Sequence, residues 1–138
     1  FVLVAADADI DAALWGGLMS TRAKARGAVA AAVNGGVRDL EQISLLGFPV
    51  FGSYRCIKDI RRRGYMAAYG TAVAIDGVTI RPNDIVFGDA NGVVVIPQEH
   101  FRTVFAELEK SIEGEQRTAE GLIQGRAARD LFKEFETF

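Results

Sequence analysis

Two short, unbroken apolar runs constrain the fold of this chain more than any other feature. Phe1 to Ala5 and Ala28 to Val33 carry an apolar residue at every position. Neither alternates with polar residues and each is too short for an ordinary helix, so both read as strands buried on their two faces. Asp9 to Gly27 lies between them and reads as helical, with Ala12, Ala13, Leu14, Leu18, Met19 and Ala23 on its apolar side and Gly27 as its stop. Strand, helix, strand in this order is the unit that joins parallel strands. The pair Gly16-Gly17 fits badly inside a helix, where each glycine costs about 1 kcal/mol against alanine. The helix is therefore expected to begin only after Gly17, with free amides near Gly17, Leu18 and Met19.

Beyond Val33, Asn34-Gly35-Gly36 is expected to break the strand and permit positive φ. Asp39 to Leu46 reads as a short helix with Asp39 as its cap and Gly47 as its end. Phe48 to Phe51 is a strand with Pro49 at its start or on an edge. Ser53 to Tyr65 is polar and reads as a loop or a short helical excursion. Ala72 to Ile75 and Val78 to Ile80 flank a tight Asp76-Gly77 turn. Arg81 to Asp84 is a turn, and Ile85 to Phe87 and Val93 to Ile96 are further strands around Gly88 to Gly92. Gln98 to about Lys133 is helical and amphipathic. Phe101, Val104, Phe105, Leu108 and Ile112 form its first apolar stripe, Gly114, Gly121 and Gly125 are candidate dividers, and Leu131, Phe132 and Phe135 are a last apolar patch. The mixture predicts a layered α+β domain with a C-terminal helical region, one domain over residues 1–138.

Composition narrows the function classes. Apolar residues make up 49% and charged residues 25%, which supplies a core and excludes a disordered chain. Sixteen basic and eighteen acidic side chains leave a charge of −2, not the profile of a general nucleic-acid binder. One cysteine, Cys56, and one histidine, His100, supply neither a disulfide framework nor a zinc site of the usual kind. No stretch reaches the roughly 18 apolar residues of a membrane span. The apolar start lacks a basic leader and runs at once into Asp7, Asp9 and Asp11, so it does not read as a signal peptide. A reducing cytoplasm is the expected compartment.

The segment Val33-Asn-Gly-Gly-Val-Arg-Asp39 is the sharpest chemical feature. Ligands of α/β architecture collect beyond strand ends and at helix N-termini. Arg38 can grip a carboxylate through two parallel hydrogen bonds. Asp39 can bind Mg²⁺ or Mn²⁺, hard cations that favour oxygen. Together they suit a bound 2-oxo acid. The alternative is that Asp39 caps a helix and Arg38 makes a surface ion pair. At the start of the first helix, the amides of Leu18 and Met19 can hold an anion, or the helix is an ordinary packing element. Arg61-Arg62-Arg63, with Tyr54, Tyr65 and Tyr69 nearby, can meet phosphate or RNA, or form a solvated face or subunit contact. Lys58 and Asp59 add no pattern. His100 reads as a cap or surface residue, and Asp84, Asp89 and Asn91 as turn residues.

Three segments together resemble the RraA-like family, which joins the regulator of ribonuclease E activity A to the 4-hydroxy-4-methyl-2-oxoglutarate (HMG/CHA) aldolases. They are Gly17 with Arg38-Asp39 after Asn34-Gly35-Gly36, then Leu46 to Phe51, then Val78 to Pro97 with its Pro-x-Asp-x-x-x-x-Asp-x-x-Gly-Val block. The resemblance implies a swivelling β/β/α domain assembled as a homotrimer or a hexamer. It implies a lyase that uses Mg²⁺ or Mn²⁺ to cleave 4-hydroxy-2-oxo acids to pyruvate, many members also decarboxylating oxaloacetate. Asp39 would hold the metal, Arg38 would bind the pyruvate moiety, and the amides of Leu18 and Met19 would hold its carboxylate, with Gly17 giving room. The alternative it carries is a non-catalytic regulator that binds an RNA-processing enzyme or another protein. The aldolase pattern has an acidic residue three positions after the metal-binding aspartate. Gln42 stands there, with Glu41 one place early. Family members are longer at the N-terminus, so N-terminal elements that reach a neighbouring subunit's site are expected to be missing here.

Overall fold

The computed structural model describes residues 1–6 and 10–135, so Asp7 and Asp9 lie outside the described residues. The chain divides into two compact units, Phe1–Pro97 and Gln98–Phe138.

The first unit is built on a four-stranded parallel sheet. Its central strand, β3 (Ala31–Val37), is buried along nearly its whole length. On one side runs β4 (Val50–Arg55), paired from Ala31↔Val50 to Val37↔Arg55. Two short strands pair with β3 in parallel as well, β1 (Val2–Val4) at Ala31 to Val33 and β2 (Ala13–Trp15) at Gly36 and Val37. A strand has only two hydrogen-bonding edges, so β1 and β2 follow one another along the edge that β4 leaves open. Helix α1 (Gly17–Ala25) connects β2 to β3, and α2 (Leu40–Leu46) connects β3 to β4. Two successive right-handed crossovers in one direction put both helices on one face of the sheet. Lys24 Nζ on α1 accordingly donates to the Leu46 carbonyl at the end of α2, at 2.5 Å. Under these helices Trp15, Ala31, Val33, Val37, Ile43 and Phe48 form the core, the Trp15 and Phe48 rings stacked at 6.5 Å.

Val50 packs on that core, so Phe51, the next residue along β4, faces the opposite side. There its ring lies 6.1 Å from that of Phe1, and a Cβ on Gly88 would come within 2.7 Å of Phe51 Cζ. Gly88 belongs to an antiparallel hairpin of β7 (Ile85–Asp89) and β8 (Gly92–Ile96). A smaller hairpin joins β5 (Val73–Ile75) to β6 (Val78–Ile80). Helices on one face and a hairpin on the other give the expected β/β/α layering and the α+β class.

The second unit is helical. A single 3₁₀ turn, Gln98–His100, leads into α3 (Phe101–Ile123), and α4 (Ala128–Phe135) follows. Leu131 of α4 is fully buried, and a Cβ on Gly121 would collide with it. Gly114 and Gly121 are thus internal residues of α3, not dividers, and only Gly125, with φ +81°, sits at the break. The stripe Val104, Phe105, Leu108 and Ile112 remains exposed. No helix among the described residues is long and apolar enough to cross a membrane.

Three further expectations are corrected. Ala13 and Leu14 lie in β2, not on a helix face, and α1 starts at Gly17 itself. Asn34-Gly35-Gly36 is not a turn but part of β3, and neither glycine has positive φ. Asn34 substitutes for a missing ladder partner: its side chain accepts from the Ala6 N–H at 2.7 Å and donates to the Ala6 carbonyl at 3.2 Å. The strand after α2 begins at Val50, not Phe48, and continues to Arg55 because β3 is long enough to pair with it.

Candidate functional site

The carboxyl ends of three parallel strands meet at one place. β2 ends at Trp15, β3 at Val37 and β4 at Arg55. The Arg38 N–H donates to the Trp15 carbonyl at 3.0 Å, and the Cys56 N–H to the Val37 carbonyl at 3.1 Å. These two bonds fix the backbone on either side of Arg38-Asp39. The start of α1 is fixed from below: the Trp15 indole N–H donates to the fully buried Ser20 hydroxyl at 2.7 Å. A buried hydroxyl with a partner stabilises this arrangement, and an unpaired one would cost it about 1–3 kcal/mol.

Asp39 occupies the N-cap position of α2 in a left-handed conformation (φ 57°, ψ 38°), yet its side chain makes no bond to that helix. Its carbonyl accepts the first helical N–H, from Ile43 at 3.0 Å. Its carboxylate turns instead to the other helix, where Oδ2 accepts the Gly17 N–H at 2.9 Å. The expected cap of α2 is therefore an anchor on α1, at a terminus whose exposed amides favour a negative charge. Arg38 Nε lies 3.6 Å from the same oxygen. Among the described residues no bond is made to Asp39 Oδ1. A Cβ on Gly16 would lie 2.8 Å from Asp39 Oδ2 and 3.0 Å from Arg38 Cγ, so any larger residue there would displace these side chains.

Gly17, Arg38 and Asp39 are thus brought together. Leu18 and Met19 follow in the first turn of α1, and the first intrahelical bond runs from Ser20 N to the Gly16 carbonyl at 3.0 Å. The Leu18 and Met19 amides precede it and have no intrahelical acceptor. Their side chains are 80% and 43% exposed, so the turn opens to solvent. Gln42 reaches the same place, because a Cβ on Gly17 would collide with its side-chain amide. Glu41 is exposed on the neighbouring position of α2.

Asp59 is the residue that sequence reasoning missed. Its Oδ2 accepts from Arg38 Nη1 at 2.9 Å, across 21 residues. Its Oδ1 accepts the Arg61 N–H at 2.6 Å, and its carbonyl accepts from Arg63 Nη1 at 2.9 Å. The Arg61 N–H, and after it the Arg38 guanidinium, hold the Asp59 carboxyl below its ordinary value. Part of the arginine cluster thus serves to shape the loop that carries Asp59. Tyr54 donates to the Ile10 carbonyl at 2.7 Å, whereas Tyr65 and Tyr69 are 90% and 87% exposed. Asp84 follows the Pro82-Asn83 turn and accepts from the Arg81 N–H at 2.7 Å, whereas Asp89, expected in a turn, is the last residue of β7 and accepts from the Asn91 N–H at 2.8 Å. His100 is exposed and makes no side-chain cap bond.

A hollow of about 420 Å³ opens beside this group, lined by Arg38, Asp39, Leu40, Arg55, Cys56 and Ile57. That volume lies in the range of small-molecule sites. Among the described residues no three His, Cys, Asp or Glu side chains converge on a point. Asp39 Oδ1 is one hard oxygen donor with room for solvent around it. Mg²⁺ keeps several waters and binds through one or two carboxylates plus substrate oxygens, so the donor set fits a hard divalent cation held by Asp39, water and ligand.

The family described as RraA-like, Aldolase/RraA, matches residues 1–95, nearly the whole of the first compact unit, Phe1–Pro97. An uncharacterized protein of Methanocaldococcus jannaschii is 34% identical over 93% of this chain and 61% of its own length. A putative 4-hydroxy-4-methyl-2-oxoglutarate aldolase of Halalkalibacterium halodurans is 30% identical over 79% of this chain and 51% of its own. The chain therefore spans between half and two thirds of these two relatives. The crystal structure of an uncharacterized protein from Pseudomonas syringae pv. tomato superposes on 96% of this chain and 62% of that one, with a TM-score of 0.91 at 25% identity.

Proposed function

We propose, for a chain that belongs to the RraA-like family, a divalent-cation-dependent lyase that cleaves 4-hydroxy-2-oxo acids of the 4-hydroxy-4-methyl-2-oxoglutarate type to pyruvate and decarboxylates oxaloacetate. The observation that carries this reading is the meeting of Asp39 with the first turn of α1 through the Gly17 N–H, with Arg38 beside it. Relatives named as aldolases support the same chemistry.

The Leu18 and Met19 amides take the substrate's carboxylate, where the helix terminus favours an anion. Arg38 orients the 2-oxo acid end, and Asp59 holds the guanidinium in place. Asp39 presents its free oxygen to the cation. Mg²⁺ or Mn²⁺ supplies Lewis-acid stabilisation of the charge that develops as the carbon–carbon bond breaks. Aldol cleavage also requires the 4-hydroxyl to lose a proton. Gln42 can orient water but is no carboxylate base, so solvent water takes that proton and returns one to the pyruvate carbon left with the bonding electron pair. Loss of CO₂ from oxaloacetate needs no such acceptor, which makes decarboxylation the reaction this chain's residues serve more directly.

The test is pyruvate release from both substrates with Mg²⁺ or Mn²⁺. Wild type should turn over oxaloacetate, and Asp39→Ala should lose at least about a hundredfold, the scale of a lost electrostatic contact at the reacting centre. Metal-independent activity, or full activity in Asp39→Ala, contradicts the proposal. The family description also names RraA, and a glutamine in place of the acidic residue favours a second reading, a non-catalytic regulator of a protein partner. Lack of turnover on either substrate, with capture of an RNA-processing enzyme by the purified chain, would select it.

A further inference from the structure

We propose that Arg55 recognises the distal carboxylate of a dicarboxylic 2-oxo acid at this site. The inference rests on the proposed function and extends it to the far end of the substrate. Arg55 closes β4 and pairs with Val37, the residue before Arg38. The Cys56 N–H holds that register through the Val37 carbonyl at 3.1 Å. Neighbouring strands run about 4.8 Å apart. Arg55 thus stands opposite Val37 and Arg38 follows one residue beyond that strand end, and both line the 420 Å³ hollow with Asp39.

The two arginines differ in their partners. Arg38 is engaged by Asp39 at 3.6 Å and Asp59 at 2.9 Å. Among the described residues Arg55 has no carboxylate partner. It is exposed on the wall of the hollow. Charge balance points the same way. The charges of Arg38, Arg55, Asp39 and Asp59 sum to zero. A divalent cation at Asp39 then leaves two positive charges, which match the two carboxylates of a 2-oxo diacid. Without Arg55 one positive charge would remain, which matches a monocarboxylate. Arginine is also the side chain whose planar fork grips a carboxylate with two parallel bonds, a geometry lysine lacks.

The test compares 2-oxoglutarate with 2-oxopentanoate, ligands of equal chain length that differ in the terminal carboxylate, by calorimetric titration of the chain with saturating Mg²⁺. Wild type should bind 2-oxoglutarate at least about tenfold more tightly, the scale of one charge-assisted bidentate pair. Arg55→Leu should erase that preference and leave 2-oxopentanoate affinity within about twofold, since that ligand offers Arg55 no carboxylate. Arg55→Lys should recover part of it. Equal wild-type affinity for the two ligands, or equal weakening of both in Arg55→Leu, overturns this assignment and leaves the 2-oxo acid site standing. If wild type binds neither ligand nor pyruvate, the proposed function falls and the assignment with it.

Discussion

The carboxyl end of the parallel sheet and the β5–β6 hairpin both depend on glycine, for opposite reasons. In the hairpin, Asp76 and Gly77 have φ of 48° and 78°, and nothing lies near Gly77 that a Cβ would meet. Glycine there supplies a backbone conformation. At the sheet end, Gly16 and Gly36 have no positive φ. A Cβ on Gly36 would lie 2.6 Å from Cys56 Cβ and 2.9 Å from the Ala12 carbonyl oxygen. Glycine there supplies space between chains that must approach closely. A conformational glycine can be exchanged at modest loss, whereas a spatial one ties directly to whatever occupies the space.

Substitution by alanine separates the two cases. The largest effect is expected at Gly36, where the obstructing atoms include backbone that cannot swing aside. Gly36→Ala should lower stability by about 3 kcal/mol, the upper end for overpacking, read from the urea midpoint. At Gly16 the obstructing atoms are the side chains of Asp39 and Arg38. Gly16→Ala should leave stability within about 1 kcal/mol and reduce metal-dependent turnover at least about tenfold, by breaking the Gly17–Asp39 bond. Equal turnover would mean that the bond plays no part. At Gly77 the penalty is that of an L-residue in the left-handed region, about 1 kcal/mol. Gly77→Ala should lower stability by that amount with turnover unchanged, and Gly77→Asn by less.

The smallest effect concerns Asp59, which is exposed. Its folded pKa lies below the ordinary value of 3.8, through the Arg61 N–H and then Arg38. A depressed carboxylate contributes stability that is present above the unfolded value and lost as pH falls through the folded one. Wild type should therefore lose slightly more stability than Asp59→Asn as pH falls below about 4, in denaturant titrations at several pH values. Parallel pH profiles would show that neither the Arg61 N–H nor Arg38 holds the Asp59 carboxylate in solution.

The same contrast explains how much of the molecule could be read from its residues. The Asp76-Gly77 turn and the Gly47 helix end, with φ +61°, follow local rules, and both stand where they were expected. So do α2, the hairpin strands and the long terminal helix. Asn34-Gly35-Gly36 has the same composition as a turn, and only the approach of Ala12, Tyr54 and Cys56 reveals it as a strand. Ala13–Trp15 is three residues long, too short for any period to declare itself, and exists as a strand because β3 offers it an edge. Gly17, Arg38 and Asp39 were recognisable as a set. Asp59 was not, since no rule of spacing links it to Arg38 across 21 residues that include α2 and β4.

Everything chemical turns on whether Asp39 and the first turn of α1 hold one ligand between them. Crystals soaked with Mn²⁺ and pyruvate give the most direct reading, through the anomalous signal of the metal. The account predicts a peak at metal–oxygen bonding distance, about 2.0–2.6 Å, from Asp39 Oδ1. Pyruvate should lie next to it, with its carboxylate on the Leu18 and Met19 amides. Manganese bound elsewhere, or pyruvate excluded from that turn at saturating concentration, would contradict it.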